Sequence, residues 1–272
     1  MSVRPEGFSL AEVLVALALL GIVSVGAGRL LLTEQRSYRE IGQRADLADN
    51  LRAAADILAA DLWSLDAVDG DILALGPDSI RVRGERRFGV ACAVDLSGSG
   101  VTLRFRARLT FGVRDFRAGD SLLAYVPGDS VWAAGVATSD PVPALCPDSS
   151  AGERIDAIFA GPGPDAGAPV RAFEVVTYRS YRASDGSYYL GLRDAGGLQP
   201  LVGPLSSDGL RLSVFDSAGG VAAGPAAVQA IRIRLRALSA GTVVRRGRAS
   251  VLDDSVVVWV TLRNNRRRGT TP

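Results

Sequence analysis

Two places in this chain hold residue types whose spacing can do chemistry. Gly7-Phe8 is a junction of a small and an aromatic residue, and Glu12 follows four residues beyond Phe8. A cut after Gly7 would leave a new α-amine on Phe8. That amine and the Glu12 carboxylate are of opposite charge and could form an ion pair. Glu12 is the only charged residue from Phe8 to Gly28. A carboxylate inside a membrane-length helix costs about 2.5–3.5 kcal/mol or more, so such a group marks a functional position by default. Either the helix only dips into the bilayer and Glu12 reaches the headgroups, or Glu12 takes a partner charge. Among parallel helices, one copy's Glu12 could meet a neighbour's amine, offsetting the burial cost of both and setting the axial register. The second place is the pair Cys92 and Cys146. Outside the cytoplasm an even pair suggests a disulfide, closing a loop of about 55 residues and contributing about 2–4 kcal/mol. The alternative is two buried thiols. Their spacing suits neither a zinc site nor a thioredoxin-type motif.

The element that must position Glu12 is the apolar run itself. At 1.5 Å per residue, Phe8 to Gly28 makes a helix of about 30 Å, the thickness of a bilayer's hydrocarbon core. An ordinary secretory signal also joins a basic start, here Arg4, to an apolar stretch such as Val13 to Val25. A glutamate at the head of that stretch argues against it, as does helix-like sequence running past Val25-Gly26-Ala27. A plain signal anchor needs neither the Gly-Phe junction nor Glu12. Leu30 to Leu65 contains no proline. Tyr38, Ile41, Ala45, Ala48, Leu51, Ala55, Leu58 and Leu62 recur at steps of three and four, an amphipathic stripe. One helix is therefore expected from about Phe8 to about Leu65. Its part 8–29 would cross the membrane, and its part 30–66 would pack on a domain at 67–265. Residues 266–272, after a short leader 1–7 and everything between, read as a disordered tail.

After Asp69-Gly70 the period falls to two. Strands are expected at Ser79–Arg83, Phe88–Val94, Val101–Ala107, Leu122–Val126 and Val131–Val136. Ser139 to Asp165 reads as a long Pro/Gly/Ser-rich loop holding one strand near Ile155–Phe159. Gly161-Pro162-Gly163-Pro164 suggests a boundary between two sub-sheets. Phe173–Tyr181 and Tyr188–Arg193 form a hairpin around Ser184-Asp185-Gly186. Leu210–Phe215, a run at Ile231–Leu235 and Ser255–Leu262 complete the strands.

Composition closes off many activities. The 272 residues carry a net charge of +2, and every basic residue is arginine, with no lysine or histidine. Schiff-base lysines, the P-loop lysine, and histidine bases or metal ligands are therefore excluded. No Gly-x-Ser-x-Gly elbow is present, and Asp95-Leu96-Ser97-Gly98-Ser99-Gly100 lacks the ligands of a calcium loop. The expectation is a protein without catalysis or cofactor. Arg104, Arg106 and Arg108, and Arg232, Arg234 and Arg236, could form basic stripes for nucleic acid. In a lysine-free chain they read first as the solvated faces of strands whose other faces are core.

Gly7, Phe8, Glu12 and the apolar run resemble the N-terminus of type IV pilins and of the pseudopilins of type II secretion. The resemblance implies cleavage after Gly7 by prepilin peptidase, N-methylation of Phe8 by the same enzyme, and docking guided by Glu12. It also implies an α+β fold, a long helix packed on an antiparallel β-rich head. Four C-terminal segments are similar to PilW-type minor pilins and to the minor pseudopilin GspJ: Phe173–Tyr178, Gly209–Asp216, Ile231–Leu235 and Val260–Asn264. The implied function is a minor filament subunit near the tip or in initiation. Its partners would be other pilins, the peptidase and the inner membrane, with the head extracytoplasmic. The alternatives are a competence pseudopilin in DNA uptake and a signal-anchored β-domain that binds a ligand without joining a filament.

Overall fold

The computed structural model describes residues 10–97, 100–129, 131–161, 163–245 and 248–263, so the leader 1–7 and the tail 266–272 lie outside the described residues. Without an internal proline, helix α1 runs unbroken over Leu10–Trp63. Twelve strands follow: β1 (Ile72–Leu75), β2 (Ser79–Ser97), β3 (Gly100–Gly112), β4 (Ser121–Val126), β5 (Val131–Ala137) and β6 (Val142–Leu145), then β7 (Ala151–Phe159), β8 (Pro169–Arg182), β9 (Tyr188–Asp194), β10 (Gly197–Phe215), β11 (Ala230–Arg245) and β12 (Arg248–Thr261). A long N-terminal helix followed by an antiparallel β-rich domain is thus the α+β arrangement expected of a pilin-like chain.

The chain divides into two compact units, Met1–Asp49 with Leu238–Asp254, and Asn50–Ala237 with Ser255–Pro272. In the first, the helix is exposed along its apolar run, and Leu47, Val243 and Leu252 are buried. The β11–β12 turn region is tied locally: Ser239 Oγ donates to Gly241 O at 2.6 Å and accepts from Leu252 N at 2.9 Å. The Gly241 backbone lies against the Gln43 amide, leaving no room for a Cβ until that side chain moves.

The second unit holds β1 to β10 and the parts of β11 and β12 outside 238–254, in the order β1-β2-β3-β7-β5-β4-β8-β9-β10-β11-β12, with β6 beside β7. β2 also pairs with β8, from Ser79↔Arg179 to Val90↔Pro169. That pairing closes the path β2-β3-β7-β5-β4-β8 into a ring. The alternation that points Arg104 out points Leu103 and Phe105 in. Together with Leu122, Ala124, Ile155, Val170 and others they fill the ring with one apolar core. Phe116 stacks on Phe105 inside it, the ring centroids 4.8 Å apart. Gly89 on β2 lets the Phe105 ring lie against the strand; a Cβ there would sit 2.7 Å from Phe105 Cδ1.

The rest of this unit is a sheet bearing the end of the helix. Leu51, Ala54, Ala55, Leu58 and Leu62 are buried on α1, as are Val82, Val176, Tyr178, Leu190, Leu210, Ile231 and Ile233 on the strands. One polar cluster joins the two layers. Tyr178 Oη donates to Asp61 Oδ2 at 2.6 Å, and Arg86 reaches Asp61 at 3.3 Å and Glu174 at 3.2 Å. Burial, then the neighbouring Asp61 charge, push the Tyr178 phenol well above its ordinary range, so it stays a donor.

Several expectations are corrected here. Tyr38, Ile41 and Ala45 are exposed, and the buried stripe begins only at Leu47. The segments Ser79–Arg83 and Phe88–Val94 are one strand. Arg86 and Arg87 interrupt the apolar period between them, yet both are held by carboxylates, Arg87 by Asp115 and Glu153 at 3.2 Å each. The expected loop at Ser139–Asp165 contains all of β6 and a β7 that starts at Ala151. β6, Val-Pro-Ala-Leu, reads as loop because it is four residues long, holds Pro143 and is largely exposed, with β7 as its paired neighbour. Gly161 to Pro164 divides no sub-sheets: β7 before it and β8 after it lie in the same ring, and Pro162 lies outside the described residues. β10 begins at Gly197, well before Leu210, because its first half pairs with β9.

Candidate functional site

Glu12 lies in the first turn of α1 and is exposed. The positive end of the helix dipole favours a carboxylate there. Behind it the helix is long and apolar enough to cross a membrane, with a mean hydropathy of 2.2 and none of the apolar window buried within the chain. Gly21, Gly26 and Gly28 open onto free space, so this surface is smooth enough for close approach by another helix. The site therefore combines one acid with an unburied apolar rod. Gly7 and Phe8, its expected cleavage and methylation residues, lie outside the described residues.

Cys92, on β2, and Cys146, just after β6, are joined by a disulfide with their Cα atoms 5.8 Å apart. The bond ties the ring to the β6–β7 connection, where Ser149 N donates back to Cys146 O at 2.9 Å.

Five of the six stripe arginines are held within the chain, and Arg108 is exposed. Arg104 pairs with Asp95 and Arg106 with Asp148, each at 2.7 Å. Arg234 and Arg236 share Asp208 at 3.0 and 3.4 Å. The Arg232 guanidinium lies over both Phe215 and Trp259, 5.6 and 5.7 Å from their centroids. These are strand faces in solvent, as the alternation implied.

One charged cluster has no sequence signal. After the helix ends, the Asp66 carboxylate accepts from Val68 N and Asp69 N at 2.9 and 3.1 Å and so shapes the turn into β1. Buried Asp71 then takes Arg171 in a two-point bond at 3.0 and 3.1 Å. The Arg171 guanidinium stacks on Trp132 at 4.7 Å, and Trp132 Nε1 donates to Asp69 at 2.6 Å. Burial pushes the carboxyls of Asp66 and Glu85 above their usual range; for Glu85, Arg171 pulls the other way. The partners stand 100 residues apart in sequence, so no local spacing announces them. The cluster joins the end of the helix to the ring. Its guanidinium is committed to Asp71 and Trp132, so its role is structural.

No curated protein and no solved structure matches the chain. Residues 4–28, which contain Gly7, Phe8 and Glu12, match the family model described as the prokaryotic N-terminal methylation motif, and that motif indicates a pilin-like protein that is a substrate of prepilin peptidase.

Proposed function

We propose that the chain is a minor pilin or pseudopilin, a non-catalytic subunit of a type IV pilus or type II secretion filament. The observation that carries this reading is the methylation motif at residues 4–28 running without a break into an exposed apolar helix. Prepilin peptidase cuts after Gly7 and methylates Phe8. Before assembly the helix anchors the chain once in the inner membrane, with the β-rich unit outside the cytoplasm. In the filament the apolar helices of neighbouring pilins pack together, and Glu12 of one subunit takes the α-amine of the next. That pair removes the cost of burying either charge alone. The size of the β-rich unit favours a place at the tip or in initiation, because a large head crowds a repeating shaft. The four C-terminal strand segments favour the PilW or GspJ type.

Mass spectrometry of the protein purified from cells tests the reading. The expected mature chain begins at an N-methylated Phe8. A chain that keeps Met1, or begins near Gly28, would sink it in favour of a plain anchor or a secreted domain.

A further inference from the structure

We infer that the sheet face opposite the helix carries a binding site for single-stranded nucleic acid, formed by Arg81, Arg179, Arg193, Tyr181 and Tyr189 on β2, β8 and β9. The register places these side chains in rows. Arg81 lies beside Thr177, which lies beside Arg193; Arg179 lies beside Gly191; Tyr181 lies beside Tyr189. Ile80, Val82, Val176 and Tyr178 are buried toward the helix, so the residues between them face outward. Successive rows stand about 6.8 Å apart along a strand. Among the described residues, Arg81, Arg179 and Arg193 have no carboxylate partner, unlike Arg104, Arg106, Arg234 and Arg236. Arg81 and Arg193 also border an open cleft of about 670 Å³, on whose other side Arg114 is neutralised by Asp120 at 2.6 Å.

The aromatic row decides the class of polyanion. The Tyr181 ring lies on Gly191, where a Cβ would come within 2.7 Å of it. Tyr189 is held by its hydroxyl donating to Asp185 at 3.0 Å, and the two rings stand 6.2 Å apart. Held rings beside a row of free guanidiniums form a platform for unstacked bases with their phosphates alongside. A duplex offers no such bases, and an anionic polysaccharide has only C–H faces to lay on the rings, where each unstacked base offers a full π-face. Asp185 and Asp194 are the nearby acids, with Glu174 and Asp120 on the cleft already paired with Arg86 and Arg114. Asp185 is engaged with Tyr189 and the hairpin turn, and Asp194 accepts from Gly196 N at 2.8 Å. The inference does not depend on processing at Phe8, so the two proposals fail separately.

The test is fluorescence anisotropy of a labelled twenty-nucleotide oligothymidylate with the full chain in non-ionic detergent. Three phosphate contacts predict a Kd that rises about 20-fold between 50 and 200 mM salt. R81Q/R179Q/R193Q should weaken binding at least tenfold and flatten that salt dependence. Y181L/Y189L should weaken it about tenfold, keep the salt slope and leave heparin binding unmoved. Y181F, which keeps the ring and loses no printed hydroxyl bond, should bind like the parent. No binding at 50 mM salt, or full binding by the arginine variant, would overturn the inference. So would equal loss of heparin binding in the leucine variant, or loss in the phenylalanine variant.

Discussion

Replacing Glu12 by alanine removes the one charge between Phe8 and Gly28 and nothing from the β-rich unit. The expected outcome is loss of the subunit from sheared filaments, with an unchanged melting curve for the detergent-solubilised chain; unchanged incorporation would retire the ion-pair role. The Asp71–Arg171 pair belongs to stability. Asp71→Asn leaves a guanidinium buried without its counter-charge, which costs about 3–5 kcal/mol, readable as a lower denaturant midpoint. Glu85 gives a pH signature. Its folded carboxyl sits above the usual value because burial disfavours the charge, so the folded state holds a proton that the unfolded state has released. That contribution is present at low pH and is lost as pH rises from about 4.3 through the raised folded value. Glu85→Gln should therefore melt less steeply with pH across that window than the parent; identical slopes would remove Glu85 as the cause. Glu12 was legible because a lone charge in an apolar run is conspicuous. Asp71 and Arg171 were not, because only the folded ring brings them together.

At the scale of elements, the helix end and the disulfide are the two fastenings with separable effects. Leu58 is fully buried on the helix face, and Leu58→Ala should cost about 2–5 kcal/mol by removing packed methyl groups and leaving a cavity. Cys92→Ser with Cys146→Ser should cost about 2–4 kcal/mol by releasing a closed segment 54 residues apart in sequence. Both are read from thermal or chemical denaturation against the parent. The β8–β9 hairpin and the outward arginines of β3 could be read from the sequence, since each is a clean period of two beside a turn. β6 could not. Its Pro143 and half-exposed side chains are tolerated because one edge alone is paired. The stripe at Tyr38 and Ile41 has the spacing of a packed face, yet spacing shows only which residues share a side, and here that side is exposed within the chain.

For the molecule as a whole, the apolar helix and the β-rich class were legible in the sequence, and the ring was not. A ring depends on which strands meet at distance, and β2 meets β8 some 90 residues later, from Ser79↔Arg179 onward. Local periodicity carries no information about that closure. The same closure bears on how the chain is made. A chain delivered N-terminus first to the side where this unit folds can pair β2 with β3 early, but the cylinder cannot seal until β8 has followed. Until then the half-built wall presents raw hydrogen-bonding edges, the surfaces through which strands of separate molecules adhere. The interval between the arrival of Ser97 and that of Arg182 is thus when a chaperone on the folding side matters most for this protein's survival.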